Sequence, residues 1–425
     1  MASLSLWIYR GLVAAALPLA VPVLKFRQLI TGKIRPRFRD RLARHLPDLP
    51  KGGVWIQAVS VGEVELARSL VAELRHRAPD VPLFVTATTA TGIALARKTL
   101  GKTSPVFPCP VDLPGPVRRV LDAAAPRLVV LVETELWPEM LHQAASRSVP
   151  VAVVNARLSE GSLKAYRRVA RPLRSLLEPL TKVLARTDAD AERFAALGVS
   201  TERIEVCGNI KYDLGRDERP LEWTEEVLEV AGDRPIVVVG STMEGEEVQV
   251  LDALEGLDAD GAAPFLILAP RHPERFDVVA GLLRERGVSF GRRTRHGETP
   301  DGADAFLIDT IGDLARAYRL ARLAFVGGSL APTGGHNPLE PAVWGVPVLS
   351  GPHVHNFREV YQEMTAAGGA RLVADTGELR VAAAVWLDDV KLARAAGAAG
   401  REVVEANRGA TARTVDALLE LVASS

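Results

Sequence analysis

The chain has 425 residues, 48% hydrophobic and 24% charged, with 52 Lys plus Arg against 52 Asp plus Glu. That length exceeds one ordinary core, so two domains with appendages are expected, and the composition excludes wholesale disorder. Zero net charge supplies no global field for nucleic acid. The two cysteines, Cys109 and Cys207, lack CxxC or metal spacing and read as buried small hydrophobes of a reducing compartment.

The N-terminus departs from this average. The stretch "GLVAAALPLAVPVL" (11–24) carries no charge and extends back to Leu4 if Arg10 snorkels. It falls short of the ~20 residues of a straight span, and Pro18 and Pro22 interrupt an ideal helix. Lys25, Arg27, Lys33, Arg35, Arg37, Arg39, Arg41 and Arg44 follow, opposed only by Asp40, a flank that stays cytoplasmic and attracts anionic headgroups. Residues 1–45 therefore read as an uncleaved anchor or surface-embedded segment with a basic flank; the bland alternative is a core helix followed by a solvated charge run.

From Val54, apolar runs alternate with helical stretches. "VWIQAV", "PLFVTAT", "RLVVLVE", "PVAVVN" and "KVLART" are strand candidates, and the spacing predicts a helix over 64–77. After a polar stretch at 211–226 the pattern restarts with "PIVVVGS", "FLILAP", "AFLID", "LAFVGG" and "PVLSG", and a helical C-terminus rich in Ala and Arg closes the chain. This is α/β: two doubly wound parallel-sheet halves, 46–212 and 234–425, joined by a linker at 213–233. Ligands in such sheets sit beyond the carboxyl ends of strands.

The polar clusters fall at those ends. "AVSVGE" places Glu63 in the first turn of a helix, where it is either a dipole-complementing acid or a general base. "VETELWPE" supplies Glu133 and Glu135, which point apart if the strand continues. Lys211 in "GNIKYD" ends the first half. In the second half, "GSTMEGEE", "APRHPER" with Arg271 and His272, and "DTIGDL" follow strands. "GGSLAPTGGHNPLEPA" (327–342) reads as a glycine-rich turn into a helix start, with Asn337 as cap, Pro338 at the first position and Glu340 in the first turn, a place for an anion. The Asp-x-Asp pairs at 187–190 and 257–260 read as a helix cap and a surface turn, and His353 and His355 lack a third ligand, so no metal site is expected. P-loop, GxGxxG and GxSxG motifs are missing.

The motifs "SVGE", "VETELWP", "NARLS", "APRHPER", "VGGSL…GGHNPLEPA" and "GPHVHNF", in this order, resemble the 3-deoxy-D-manno-octulosonic acid (Kdo) transferases of lipopolysaccharide biosynthesis, over roughly residues 5–420. The resemblance implies a GT-B fold of two Rossmann-like domains with an N-terminal membrane-associated helix. It also implies inverting, metal-independent transfer of Kdo from CMP-Kdo to the 6′-hydroxyl of tetraacyl lipid A precursor (lipid IVA), with no cofactor, at the cytoplasmic face of a bacterial inner membrane. Glu63 would be the proton acceptor, and Glu133 and Lys211 transition-state stabilisers. CMP contacts would map to Pro270, Arg271, Ile311, Gly312, Asp313, Asn337, Pro338, Leu339 and Glu340. CMP-Kdo, the lipid A precursor and inner-membrane lipids are then the expected partners, and no nucleic acid.

A helix terminus and a basic side chain can take the charge of a leaving nucleoside monophosphate without a divalent ion, which agrees with this chemistry. Two departures stand out: Gln57 replaces the family's usual histidine, and Asp313 replaces a common glutamate. The rivals are a GT-B enzyme using a UDP-sugar for an envelope lipid, and a membrane-anchored nucleotide-binding protein that has lost catalysis.

Overall fold

The computed structural model describes residues 4–16, 38–167, 170–213, 215–258 and 263–424. Most of the expected anchor and its basic flank, residues 17–37, lies outside the described residues, as does half of the second Asp-x-Asp pair. The chain divides into two units, Met1–Asp213 with Arg408–Ser425, and Leu214–Asn407.

The first unit is built on seven parallel strands: β1 (Val54–Ala58), β2 (Leu83–Ala87), β3 (Val106–Pro108), β4 (Leu128–Val132), β5 (Val151–Ala156), β6 (Lys182–Ala185) and β7 (Ile204–Val206). Their order is β3-β2-β1-β4-β5-β6-β7. The central strands read as unbroken apolar runs because both faces are covered. Ile56 and Val130 pack with Leu70 and Leu74 of the helix Val61–Arg77, while Trp55 and Val129 face the other way, toward Val117 and Leu121 of the helix Pro114–Ala124. Cys109 and Cys207 are free and buried, as their isolation in the sequence suggested.

The second unit repeats the plan with β8 (Ile236–Thr242), β9 (Phe265–Pro270), β10 (Phe290–Arg292), β11 (Ala305–Leu307), β12 (Leu323–Val326), β13 (Val348–Ser350) and β14 (Ala370–Leu372), in the order β10-β11-β9-β8-β12-β13-β14. Every pairing in both sheets is parallel. Strand order reverses between β1 and β4 in one sheet and between β8 and β12 in the other, and these are the switch points where ligand-binding loops gather.

Two boundaries differ from the expected ones. The segment 213–233 is no free linker: Leu221, Trp223, Val227 and Ala231 are buried in the second unit, with Trp223 stacked on Phe306 at 4.9 Å between ring centroids. The last helix, Ala410–Ala423, belongs to the first unit rather than the second. It buries Val415 and Leu418 against the helix Val61–Arg77, and Asp213 caps it by accepting the N–H groups of Gly409 and Thr411. The apolar stripe of an amphipathic helix tells that it must pack, not on which sheet.

Residues 4–16 form a helix docked on the first unit. Leu6 is buried, whereas Leu4, Trp7, Ile8 and Leu12 are 77%, 60%, 55% and 66% exposed, an uncovered apolar face. Arg10 does not snorkel. It grips the fully buried carboxylate of Glu139 with two hydrogen bonds, at 2.6 and 2.9 Å, and Tyr9 donates to Asp112 at 2.7 Å. Asp112 also takes the N–H groups of Glu139 and Met140, both at 2.9 Å, and so caps the helix Pro138–Ala145; burial pushes its carboxyl up to about 6. Among the described residues, no helix is long and apolar enough to cross a membrane.

Candidate active site

Glu63 sits one turn into the helix that leaves β1. Its Oε2 accepts the N–H of Val59 at 2.6 Å and its Oε1 the hydroxyl of Ser60 at 2.9 Å, a variant of the capping box. Structural cap and candidate base are thus the same carboxylate. Glu63 is 7% exposed, and its pKa is pushed up to about 7, chiefly by burial. The Val59 and Ser60 hydrogen bonds oppose that rise, and the charges of Glu135 and Glu133 add to it. A carboxylate balanced near neutrality suits a general base.

The strand that feeds "VETELWP" ends at Val132, and Glu133 takes the left-handed conformation, with φ +59°, while its N–H still bonds the carbonyl of Val154 at 2.9 Å. The alternation that would have separated Glu133 from Glu135 therefore stops, and both charges bear on Glu63. Burial, then Glu133, holds the Glu135 carboxyl above the ordinary range. Lys211 rides on a single turn, Ile210–Tyr212, whose Ile210 and Tyr212 are buried. Its Nζ is 3.9 Å from Glu133 Oε1. Asn155 sets that turn: with φ +51° at the end of β5, its Oδ1 accepts the Ile210 N–H at 3.0 Å. Non-glycine residues held at positive φ cost of order 1–3 kcal/mol each, and two adjacent strand ends carry that strain here. Gln57, in β1, is fully buried and bonds within the sheet to Thr86, Thr88 and the Ala58 carbonyl.

In the second unit Pro270 ends β9 and Arg271 follows it, exposed, its N–H bonded to the Thr242 carbonyl at 3.0 Å. The guanidinium of Arg271 makes no hydrogen bond or ion pair among the described residues. Burial, then Arg271 and His272, pushes the pKa of His336 down to about 4, so the "APRHPER" turn and the glycine-rich loop share one positive neighbourhood. Ile311 is 61% exposed, and Gly312 has φ +111° with open space where a side chain would stand. Asp313 is not free: Arg293 at 2.8 Å, Arg316 at 2.7 Å, Thr310 at 3.1 Å and Trp223 at 3.5 Å all donate to it. Burial works to raise its pKa, yet the bonds from Arg293, Thr310 and Trp223, in that order, hold it below the ordinary carboxylate range.

The loop at 327–342 differs most from its reading in the sequence. The N–H groups of Gly328, Ser329, Leu330 and Ala331 already face an anion, the buried carboxylate of Glu246. Asn337 does cap, accepting the Leu339 N–H at 3.1 Å, but the helix it starts, Leu339–Ala342, is a single turn and carries little dipole. Pro338 is buried and Leu339 is wholly buried, so their side chains are core, whereas Glu340 is partly exposed.

The chain matches the family model described as 3-deoxy-D-manno-octulosonic-acid transferase over residues 35–214. It is 35% identical to a 3-deoxy-D-manno-octulosonic acid transferase of Haemophilus influenzae over 96% of this chain and 97% of that one. It is 37% identical to one of Bordetella pertussis over 86% of each. The chain belongs to the 3-deoxy-D-manno-octulosonic acid transferase family. Members of this family are glycosyltransferases, and the chain is an enzyme of that class. Its two parallel-sheet units have the GT-B fold, shared with MurG of Acinetobacter baumannii at TM-score 0.55 and 14% identity over 87% of this chain and 99% of that one.

For this Kdo transferase family member, the structure brings Glu63 and Glu133 to the ends of adjacent strands, β1 and β4, carries the Lys211 turn back to Glu133, and adds Glu135 and Asn155. Glu135 stands in the quoted motif and would point away from Glu133 if the strand continued, but the strand ends at Val132. Asn155 stood in "NARLS", where nothing local marks it as the partner of residue 210. Glu246 was hidden the same way in "GSTMEGEE". The "TDAD" pair is the helix cap expected of it: Thr187 accepts the Asp190 N–H at 3.1 Å. Among the described residues no group of three or more His, Cys, Asp or Glu could hold a metal ion.

Proposed function

We propose that the chain transfers Kdo, with inversion, from CMP-Kdo to the 6′-hydroxyl of tetraacyl lipid A precursor, without a metal or other cofactor. The observation that carries this reading is Glu63, a buried carboxylate with a pKa of about 7 under the charge of Glu133, which in turn meets Lys211. Its deprotonated form takes the proton of the acceptor hydroxyl as that oxygen bonds the anomeric carbon. The bond from that carbon to the phosphate oxygen breaks, and CMP departs with the electron pair. Lys211, held by Glu133, supplies positive charge where negative charge develops. On the donor side the reading assigns Pro270, Arg271, Ile311, Gly312, Asn337, Pro338, Leu339 and Glu340 to CMP, with the unpaired guanidinium of Arg271 as its phosphate contact. Asp313 acts there through Arg293 and Arg316, which it holds.

The acceptor is a lipid, and the uncovered apolar face of the helix 4–16 suits a bilayer surface. With the uncharged segment and basic flank that follow it in sequence, this supports a site at the cytoplasmic face of a bacterial inner membrane.

The test is mass spectrometry of the lipid after incubation with freshly generated CMP-Kdo and tetraacyl acceptor in detergent and EDTA, wild type beside Glu63→Gln. Kdo-bearing lipid from the wild type alone is the expected result. Product from both proteins removes Glu63 as base. Product with a UDP-sugar and none with CMP-Kdo replaces the donor.

A further inference from the structure

Glu246 opens the helix Glu246–Leu254 that follows β8, and it is fully buried. Five backbone N–H groups converge on its carboxylate. Oε1 accepts from Ser329 at 2.8 Å, Leu330 at 2.8 Å and Ala331 at 3.2 Å; Oε2 accepts from Gly328 at 2.6 Å and Met243 at 2.8 Å. No lysine or arginine pairs with it among the described residues, so the amides and the helix start alone offset its burial. Hydrogen bonds from backbone N–H groups to a carboxylate are of the strong class, so five of them fix both the side chain and the loop that donates them.

This is the geometry with which a glycine-rich loop cradles a phosphate, filled by a side chain of the same unit. The loop is shaped to it. A Cβ on Gly327 would stand 2.7 Å from the Ser241 carbonyl oxygen and 2.8 Å from Glu246 Oε2, and Gly328 lies at φ +68°. Past the cradle the loop is tied off by Gly335 N–H to the Gly328 carbonyl and His336 N–H to the Gly327 carbonyl. It is also joined to "GPHVHNF", because Ser329 Oγ accepts the Gly351 N–H at 2.8 Å and the Gly334 carbonyl accepts the Asn356 N–H at 2.9 Å. The segment Asn337–Glu340 leaves directly from this tie.

We infer that Glu246 is a positioning residue for the nucleotide: its carboxylate, standing where a phosphate would, locks the 327–336 loop in the one shape that presents His336 to Glu340, and it thereby sends the donor's phosphate to Arg271 instead of to the loop amides. This rests on the CMP-Kdo reading above. A residue that only held the unit together would affect thermal stability and leave the folded protein's affinity for CMP unchanged.

The experiment uses the full chain. CMP binding by calorimetry and amide hydrogen exchange at 328–331 are measured for wild type, Glu246→Gln and Gly328→Ala. In Glu246→Gln an amide NH2 faces backbone donors, so exchange at 328–331 rises and CMP binding weakens by about tenfold or more, the scale of one charge-assisted hydrogen bond lost with its partners left unpaired. Gly328→Ala strains the same loop from the other side with Glu246 intact, and the double variant is no weaker than the weaker single one, because the two act through one element. CMP affinity within twofold of wild type in either variant, with exchange raised, overturns the inference, and so does unchanged exchange in Glu246→Gln. If Glu246→Gln does not fold, Gly328→Ala decides by the same two readings. Wild type that fails to bind CMP while Glu246→Gln still raises exchange brings down the donor reading, and the assignment to the nucleotide with it.

Discussion

Glu63 and Glu246 occupy equivalent places in the two units: each lies in the first turn of the helix that follows the strand at its sheet's switch point. Their surroundings separate them. Burial pushes the pKa of Glu63 up to about 7, the carboxylates of Glu135 and Glu133 add to the rise, and only two donors, Val59 and Ser60, oppose it. Glu246 is fully buried, and five backbone amides donate to its carboxylate. One fold position thus holds a carboxylate with two donors in one unit and one with five in the other; the first is the proton acceptor proposed above, the second the proposed brace.

The largest effect expected from breaking this contrast is Glu63→Gln. It keeps the capping geometry and removes the proposed base, so kcat should fall by about 10²–10⁴, the usual worth of a positioned base, with CMP affinity unchanged by calorimetry. Next is the wild-type pH profile, in which kcat/KM should rise as pH passes through about 7 and Glu63 ionises. Stability should run the opposite way. The native pKa lies above the ordinary 4.5, so the folded state holds the proton more tightly than the unfolded state. The stability this provides is complete below 4.5 and is lost as pH rises through about 7, and denaturant titrations of Glu63→Gln should lack that slope.

Removing a donor from Glu63 should move it still farther from Glu246. Ser60→Ala should shift the kinetic inflection to higher pH and lower the rate at pH 7 by about two- to fivefold. Glu135→Gln removes a like charge and should shift the inflection to lower pH, the smallest of these effects because that charge follows burial and both hydrogen bonds in weight. An inflection unmoved by either substitution would assign it to another group.

The strands that periodicity missed, β3, β7, β10 and β14, are three residues long and form the four sheet edges. Strands buried on both faces announce themselves as apolar runs, while a short edge strand is defined by its neighbour's hydrogen bonds and has too few residues for a pattern. The same limit applied to Glu135, whose strand period fails because Glu133 turns to positive φ, and to Arg10, whose partner Glu139 is 129 positions away.

By itself the sequence determined what is local or repetitive: two α/β halves, their buried strands, the helix cap at Thr187, and motif segments placed at strand ends. Those follow from hydrophobic period and short-range hydrogen bonding, which a chain carries wherever it goes. The tertiary structure decided which groups meet. It carried the last helix back to the first sheet, folded the expected linker into the second core, and closed the glycine-rich loop on Glu246 rather than leaving its amides open. A backbone N–H takes whichever acceptor the fold brings within reach, and the acceptor here lies 82 to 85 residues earlier in the chain. Spacing along the sequence has no means of expressing that choice.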